Sequence, residues 1–164
     1  MTACMTLAAW AADHQVAFHV DQNDPQIMNM TLNNVQNAVN YYKEQGDTVT
    51  IEVVAYGPGL NMFVADKSPV ADRIERMSLD IDQLAFKACG NTHKNMSKKA
   101  GKALKLLDTA EITPSGVIRL IEPQEQGYAY TRPYSIFAKA CFSYLVKKQG
   151  RNQRKCFSTR GHVQ

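Results

Sequence analysis

The sequence lacks the features of several large protein classes. No apolar run approaches the roughly 18 residues that a membrane-spanning helix needs, and the longest one, Leu7 to Ala12, is far too short. Apolar residues make up 45% of the chain and charged residues 21%, and the 9 Gly and 6 Pro are dispersed. This composition excludes a collagenous, coiled-coil or wholly disordered chain. A length of 164 residues fits one domain of ordinary size.

The sequence also lacks the common signatures of metal and nucleotide sites. Its four cysteines are Cys4, Cys89, Cys141 and Cys156, with no CxxC and no Cys/His cluster at zinc spacing, so no structural zinc site is predicted. There is no GxGxxG with a downstream acid and no GxxxxGK[ST] loop. We therefore predict no nucleotide or flavin cofactor and no resident metal.

Acidic residues are absent from the C-terminal part of the chain. Residues 1 to 133 carry 12 Lys plus Arg against 15 Asp plus Glu, whereas residues 134 to 164 carry seven basic residues and no acid. A basic C-terminal segment on a slightly acidic domain is typical of an extension that contacts acidic partners. It is not typical of a nucleic-acid-binding fold. We expect this extension to be either an amphipathic helix, with Ile136, Phe137 and Leu145 on one face, or disordered.

The N-terminal segment, residues 1 to 12, is similar to the last part of a secretory signal. Ala9-Trp10-Ala11 has the small-x-small pattern that signal peptidase recognises, but a basic n-region is missing. A truncated signal predicts a periplasmic protein. The alternative is an unstructured Ala-rich N-terminus of a cytoplasmic protein.

The periodicity of the remaining chain predicts five strands that alternate with helices. The strands have the β-branched and aromatic composition of buried strands, and the helices show apolar residues at intervals of three and four. The predicted strands are Val16–Val20, Thr48–Tyr56, Leu84–Cys89, Ala110–Thr113 and Tyr128–Thr131. Strands this apolar favour an α/β fold, a three-layer sandwich around a five-stranded, mainly parallel sheet.

The helix boundaries follow from caps and glycines. Asp24 and Pro25 begin the first helix, and Gly46 ends it. Ser68 and Pro69 are predicted to cap the second helix, and Asn91 or Thr92 the third. The third helix is expected to continue through Gly101 with Met96, Ala103, Leu104 and Leu107 on its inner face. Pro123 should kink or shorten the fourth, which runs from Pro114 to Gly127.

Cys89 is the leading candidate for chemistry. It ends a strand immediately before a helix N-terminus, where unpaired amides and the helix dipole favour a thiolate. The backbone of Gly90, Asn91 and Thr92 could stabilise a negative sulfur there. The alternative is a small buried core residue, which is a common role of free cysteine.

Two other features, which we place at the carboxyl ends of the predicted strands, are candidates for ligand binding. The Gly57-Pro58-Gly59 turn would let a ligand approach the backbone, and His93 follows Cys89 by four residues. His93 is equally well explained as a solvated residue of a first helical turn. His19 lies in an apolar strand, where a hydrogen-bonded buried or interface histidine is expected.

Six segments together resemble the DsrE/DsrF-like sulfur-relay family over His14 to Pro133. They are Asn33–Val35, Val53–Leu60, Ser68–Ala71, Ala88–Thr92, Thr113–Val117 and Gln126–Tyr130. The resemblance implies a flavodoxin-like three-layer α/β/α domain that assembles into trimers or hexamers. It also implies a relay cysteine, which corresponds to Cys89 and holds sulfane sulfur as a persulfide.

Two hypotheses follow for the function. The first is a small thiol-based sulfur carrier or sulfurtransferase in which Cys89 takes sulfur from a donor protein or compound and passes it to an acceptor thiol. The second is a non-catalytic, oligomeric binding or assembly module with a structural Cys89. The reactivity of Cys89 in the folded protein separates them.

Overall fold

The computed structural model describes residues 11–134. Most of the predicted signal segment and nearly all of the C-terminal extension lie outside these residues, as do Cys4, Cys141 and Cys156. Within residues 11–134, no helix has both the length and the apolar content needed to cross a membrane.

Strands and helices alternate along the described chain as predicted. The strands are β1 Asp13–Val20, β2 Thr48–Ala55, β3 Leu84–Cys89, β4 Ala110–Thr113 and β5 Ala129–Thr131. The helices are α1 Pro25–Gln45, α2 Ala71–Asp80, α3 Gly90–Ala100 and α4 Ile118–Glu125, with a 3₁₀ helix, Gly57–Phe63, after β2.

The five strands form one parallel sheet in the order β4-β3-β2-β1-β5. The chain moves across the sheet in one direction from β1 to β4 and then returns past β1 to place β5 at the opposite edge. The predicted α/β sandwich with an all-parallel sheet is confirmed. The order differs from the 2-1-3-4-5 order of flavodoxin itself.

The two faces of the sheet are covered very differently. Residues of α1, α2 and α3 pack with alternate strand residues such as Phe18, Val53 and Phe86 in one large core. On the other face, a small cluster joins Ala17 and Val54 to Leu120 of α4. The core therefore sits between the sheet and the first three helices, while among residues 11–134 the helix on the second face is α4.

The boundaries of α1 agree with the sequence prediction. The Asp24 carboxylate accepts a hydrogen bond from the Gln26 amide at 2.8 Å, and Pro25 is the first helical residue. Gly46 ends the helix with φ of 78°, a left-handed conformation that glycine adopts at little cost.

The prediction for α3 was wrong at both ends. Cys89, rather than Asn91 or Thr92, occupies the N-cap position, so the helix begins at Gly90. The helix ends at Ala100, because Gly101 adopts a left-handed φ of 67° and closes it. Leu104 and Leu107 are buried as expected, but they reach the interior from the segment after the helix.

Two smaller corrections concern α2 and α4. The predicted start of the fourth helix at Pro114 was wrong, since α4 begins at Ile118. Val70 is the N-cap of α2, while the Ser68 hydroxyl donates to the Met62 carbonyl at 2.5 Å. Pro123 lies inside α4, which ends two residues later at Glu125. The helix is therefore short, in agreement with the expected effect of proline.

Candidate functional site

Cys89 lies at the junction of the two structural elements that favour a reactive thiol. It is the last residue of β3 and the N-cap of α3, and its register partner is Thr113 at the end of β4. The side chain is 5% exposed. The sulfur thus stands at the carboxyl edge of the sheet, next to the unpaired N–H groups of the first turn of α3.

The connections after β3 and β4 diverge at this position. The connection after β3 leads to α3 on one face of the sheet, and the connection after β4 leads to α4 on the other. In open α/β sheets, ligands bind where adjacent strands send their connections to opposite faces. Cys89 and the segment after Thr113 border this switch point.

The pKa of the Cys89 thiol results from opposing effects. Burial, the largest of them, raises the pKa because a charged sulfur loses solvation. Hydrogen bonding from the Thr92 hydroxyl and from the backbone N–H groups of Thr92, Gly116 and Asn91 lowers it. The polar groups together outweigh burial, so the pKa lies below its ordinary value and the thiol ionises more readily than that of an ordinary cysteine.

The Thr92 hydroxyl is oriented by the loop after β2. The Gly57 N–H donates a hydrogen bond to the Thr92 oxygen at 3.0 Å. Because that bond uses a lone pair of the oxygen, the hydroxyl proton remains available for the Cys89 sulfur. Gly57 has φ of 54°, a conformation that a residue with a side chain rarely adopts.

Gly116 brings a further amide to the sulfur from the loop between β4 and α4. A Cβ at this position would stand 2.9 Å from Tyr56 Cβ and 3.1 Å from Cys89 Cβ. Only glycine therefore allows the backbone to approach this closely. The sequence does not identify Gly116 as a site residue, because nothing local in the sequence ties it to Cys89.

The remaining predicted site residues divide into two groups. The Asn91 and Thr92 backbone N–H groups act on the Cys89 sulfur by lowering its pKa, and their role in binding stays a prediction. Gly90 instead packs against β4, where a Cβ would meet the Thr113 carbonyl oxygen at 3.0 Å. A Cβ at Gly59 would be only 2.3 Å from the Val20 carbonyl oxygen, so this glycine serves close packing against β1.

His93 and the neighbouring lysines do not act on the sulfur. The His93 Nε2 atom lies 2.8 Å from the Leu104 carbonyl oxygen and so ties α3 to the segment that follows it. Lys87 forms an ion pair with Glu111, and neither Lys87 nor Lys94 affects the pKa of Cys89. The arrangement therefore does not include a cysteine–histidine pair.

A second polar cluster on the same edge of the sheet surrounds His19. Its Nδ1 atom lies 2.7 Å from the Tyr130 hydroxyl, and its ring stacks on Tyr56 with centroids 4.6 Å apart. The other ring nitrogen, Nε2, has no hydrogen-bond partner among residues 11–134. Burial lowers the pKa of His19 and Arg132 lowers it further, against the opposing effect of Asp21, so the neutral imidazole is favoured.

The described residues hold no group of three or more His, Cys, Asp or Glu side chains placed to bind a metal ion. The hydrogen-bonded histidine predicted at position 19 is present, and its partner Tyr130 follows it by 111 residues in the chain. Tyr56 touches both His19 and the Gly116 position, and so connects the two clusters.

A search of solved structures finds a relative of known fold. It is MTH1491 from Methanobacterium thermoautotrophicum, a protein of unknown function, and it is 30% identical to this chain. The match covers 74% of this chain and 100% of that one, with a TM-score of 0.61. The chain belongs to the MTH1491 family.

Membership of the MTH1491 family agrees with the α/β sandwich described above. Because MTH1491 is itself described as a protein of unknown function, the relationship brings no activity with it. No protein-family model and no curated protein matches the chain. The function of this member of the family has to be inferred from its own site.

Proposed function

We propose that this protein is a small sulfur carrier or sulfurtransferase that holds sulfane sulfur as a persulfide on Cys89. The observation that carries the proposal is the set of donors around the sulfur, which makes the thiol ionise more readily in spite of burial. A thiolate is the nucleophilic form of cysteine. The resemblance to the DsrE/DsrF-like sulfur-relay family supports the same role for this residue.

The reaction needs no redox cofactor. The Cys89 thiolate attacks the outer sulfur of a donor persulfide, R–S–SH, the donor S–S bond breaks, and the thiol R–SH leaves after taking up the proton. Cys89 then carries the transferred sulfur as Cys–S–S⁻. An acceptor thiolate attacks that outer sulfur, which restores the Cys89 thiolate, so donor and acceptor together show no net oxidation.

The amides at the start of α3 have a role in both steps. They can stabilise negative charge on the Cys89 sulfur when it is the attacking group and again when it is the leaving group. The Thr92 hydroxyl supplies a further donor, and the Gly57 amide fixes its orientation.

Mass spectrometry of the intact protein tests the proposal. After treatment with polysulfide, the wild type should gain about one sulfur mass, ~32 Da, which dithiothreitol removes. Cys89→Ser should abolish the gain. Equal labelling of Cys141 and Cys156, or an unmodified Cys89 in the folded protein, would overturn the sulfur-carrier proposal.

One observation favours a second function. Cys89 is 5% exposed, as a structural cysteine would be. In that case the protein is a binding or assembly module, and Cys89 reacts with thiol reagents only after unfolding. Labelling in increasing urea, followed together with circular dichroism, distinguishes the two functions.

The assembly and location remain part of the proposal. The family resemblance supports a trimer or hexamer, and the signal-like N-terminus supports a periplasmic location, with the cytoplasm as the alternative. Light scattering of the purified chain tests the subunit number. Fractionation of expressing cells tests the location.

A further inference from the structure

A groove lies beside the Cys89 site, on the side of α3 that faces the loop after β2. Its volume is about 360 Å³. We call it the Thr92 groove, and it is lined by Gly57, Pro58, Thr92, Asn95, Met96 and Lys99.

The Thr92 groove shares a wall with the thiolate site. Thr92 and Gly57, which line it, are the two residues joined by the hydrogen bond from the Gly57 amide. The Thr92 hydroxyl also acts on the Cys89 sulfur. Thr92 therefore belongs both to the lining of the groove and to the surroundings of the Cys89 sulfur.

The lining combines an apolar part with one positive charge. Pro58 and Met96 supply apolar surface, and Lys99 supplies an exposed ammonium group. None of the ion pairs among residues 11–134 involves Lys99. Helix α3 contains no acidic residue, so Lys99 has no oppositely charged neighbour on its own helix.

We propose that the Thr92 groove binds the organic part of an anionic, low-molecular-mass thiol or persulfide. The carboxylate of this compound pairs with Lys99, and its carbon chain packs against Met96 and Pro58. This inference rests on the proposed function of Cys89 as a sulfur carrier. The ligand enters as R–S–SH, passes its outer sulfur to Cys89 and leaves as R–SH.

The test compares two aromatic disulfides that differ in charge, 5,5′-dithiobis(2-nitrobenzoate) and neutral 2,2′-dithiodipyridine. The rate of Cys89 modification in the full chain is measured for each, with the modified residue identified by peptide mass spectrometry. In Lys99→Gln, the rate with the anionic disulfide should fall roughly threefold to fivefold, the effect of one exposed ion pair. The rate with the neutral disulfide should not change.

Two further variants keep the test specific to the groove. Lys94→Gln removes the same charge from α3 at a residue that does not line the groove, and it should leave both rates unchanged. Asn95→Asp places a negative charge in the groove at an exposed residue and should slow only the anionic disulfide.

The outcomes separate this inference from the proposed function. Equal effects of Lys94→Gln and Lys99→Gln, or no effect of Lys99→Gln, would overturn the groove as a binding site. If the wild type forms no persulfide but Lys99→Gln still discriminates between the disulfides, the sulfur-carrier function fails and the anion-binding groove stands.

Discussion

The Cys89 sulfur depends on donors that come from separate parts of the chain. The Asn91 and Thr92 amides follow it directly in α3, while the Gly116 amide arrives from the loop after β4. Burial opposes ionisation of the thiol, so removal of any donor should shift the balance toward the protonated, unreactive form.

Replacement of Thr92 tests the contribution of its hydroxyl. Thr92→Val keeps the shape of the side chain but removes the donor, and a hydrogen bond to a charged group is worth about 1.5 kcal/mol or more. We expect the rate of Cys89 alkylation by iodoacetamide at pH 7 to fall about tenfold. Thr92→Ser keeps the hydroxyl and should react at nearly the wild-type rate, and equal rates in all three proteins would contradict this role.

His19 should make stability depend on pH. Its lowered pKa means that the folded state keeps the imidazole neutral while the unfolded chain binds a proton near pH 6.5. The stabilisation is present above pH 6.5 and is lost as the pH falls toward the folded pKa. Urea unfolding at pH 7.5 and 5.5 measures this loss. Between these two pH values, the free energy of unfolding should fall by about 1 kcal/mol more in the wild type than in His19→Phe.

Tyr130→Phe is the control for this effect. It removes the hydrogen bond to Nδ1 but leaves a buried imidazole that still titrates. The pH dependence of its unfolding free energy should therefore resemble that of the wild type. If the unfolding free energy of His19→Phe depends on pH as strongly as that of the wild type, groups other than His19 cause the pH dependence.

At the scale of secondary-structure elements, α4 is joined to the sheet by apolar packing and by an ion pair. In the second-face cluster, Leu120 of α4 meets Ala17 and Val54. The Arg119 guanidinium contacts both carboxylate oxygens of Glu52, with an Nε to Oε2 distance of 2.8 Å, and Glu52 is 5% exposed. This pair fixes the helix whose preceding loop carries Gly116.

Glu52→Gln should therefore affect stability and the distant thiol together. Only the Glu52 side of this ion pair is buried, since the Arg119 side chain is 30% exposed, and we expect a loss of about 2 kcal/mol of unfolding free energy in urea. Cys89 alkylation should also slow, because the Gly116 amide moves with α4. Lys102→Gln removes a surface pair with Asp66 and should change neither quantity, since both side chains are exposed.

Gly101 determines where α3 ends. Its left-handed φ of 67° strains any residue that carries a Cβ, although no atom of the protein blocks the space. Gly101→Ala should lower the unfolding free energy by about 1 kcal/mol. Gly101→Asn should cost less, because asparagine tolerates this conformation, and a stabilising Gly101→Ala would contradict the assignment of the helix end.

At the scale of the whole molecule, residues 11–134 contain the five-stranded sheet, the large core on its first face and the donors to Cys89. A chain that ends at Tyr134 should therefore unfold cooperatively, with Cys89 alkylation at the wild-type rate. Circular dichroism in urea and the alkylation rate check this prediction.

A shorter chain provides the comparison. Ending at Gly127 removes β5, its pairing with β1 and the Tyr130 hydroxyl that meets His19. We expect this chain to be markedly less stable. If the chain ending at Tyr134 is equally unstable, residues 135–164 contribute to folding.

The sequence by itself determined the order of elements and the parallel sheet. Apolar periodicity located the strands, and the caps at Asp24 and Gly46 located the ends of α1, because these signals act between residues close in the chain. The same local reasoning placed Cys89 at a strand end before a helix. This reasoning gave the wrong end for α3. Leu104 and Leu107 have the spacing of buried helical residues, but the helix ends before them, at Ala100.

Only the tertiary structure decided what surrounds Cys89. Gly116 lies near the sulfur because β4 lies beside β3. Arg119 meets Glu52 because α4 packs on the second face of the sheet. Likewise, Tyr130 meets His19 because the chain returns past β1 to form β5. Such contacts join residues far apart in sequence, and strand order, which local propensity does not encode, brings them together.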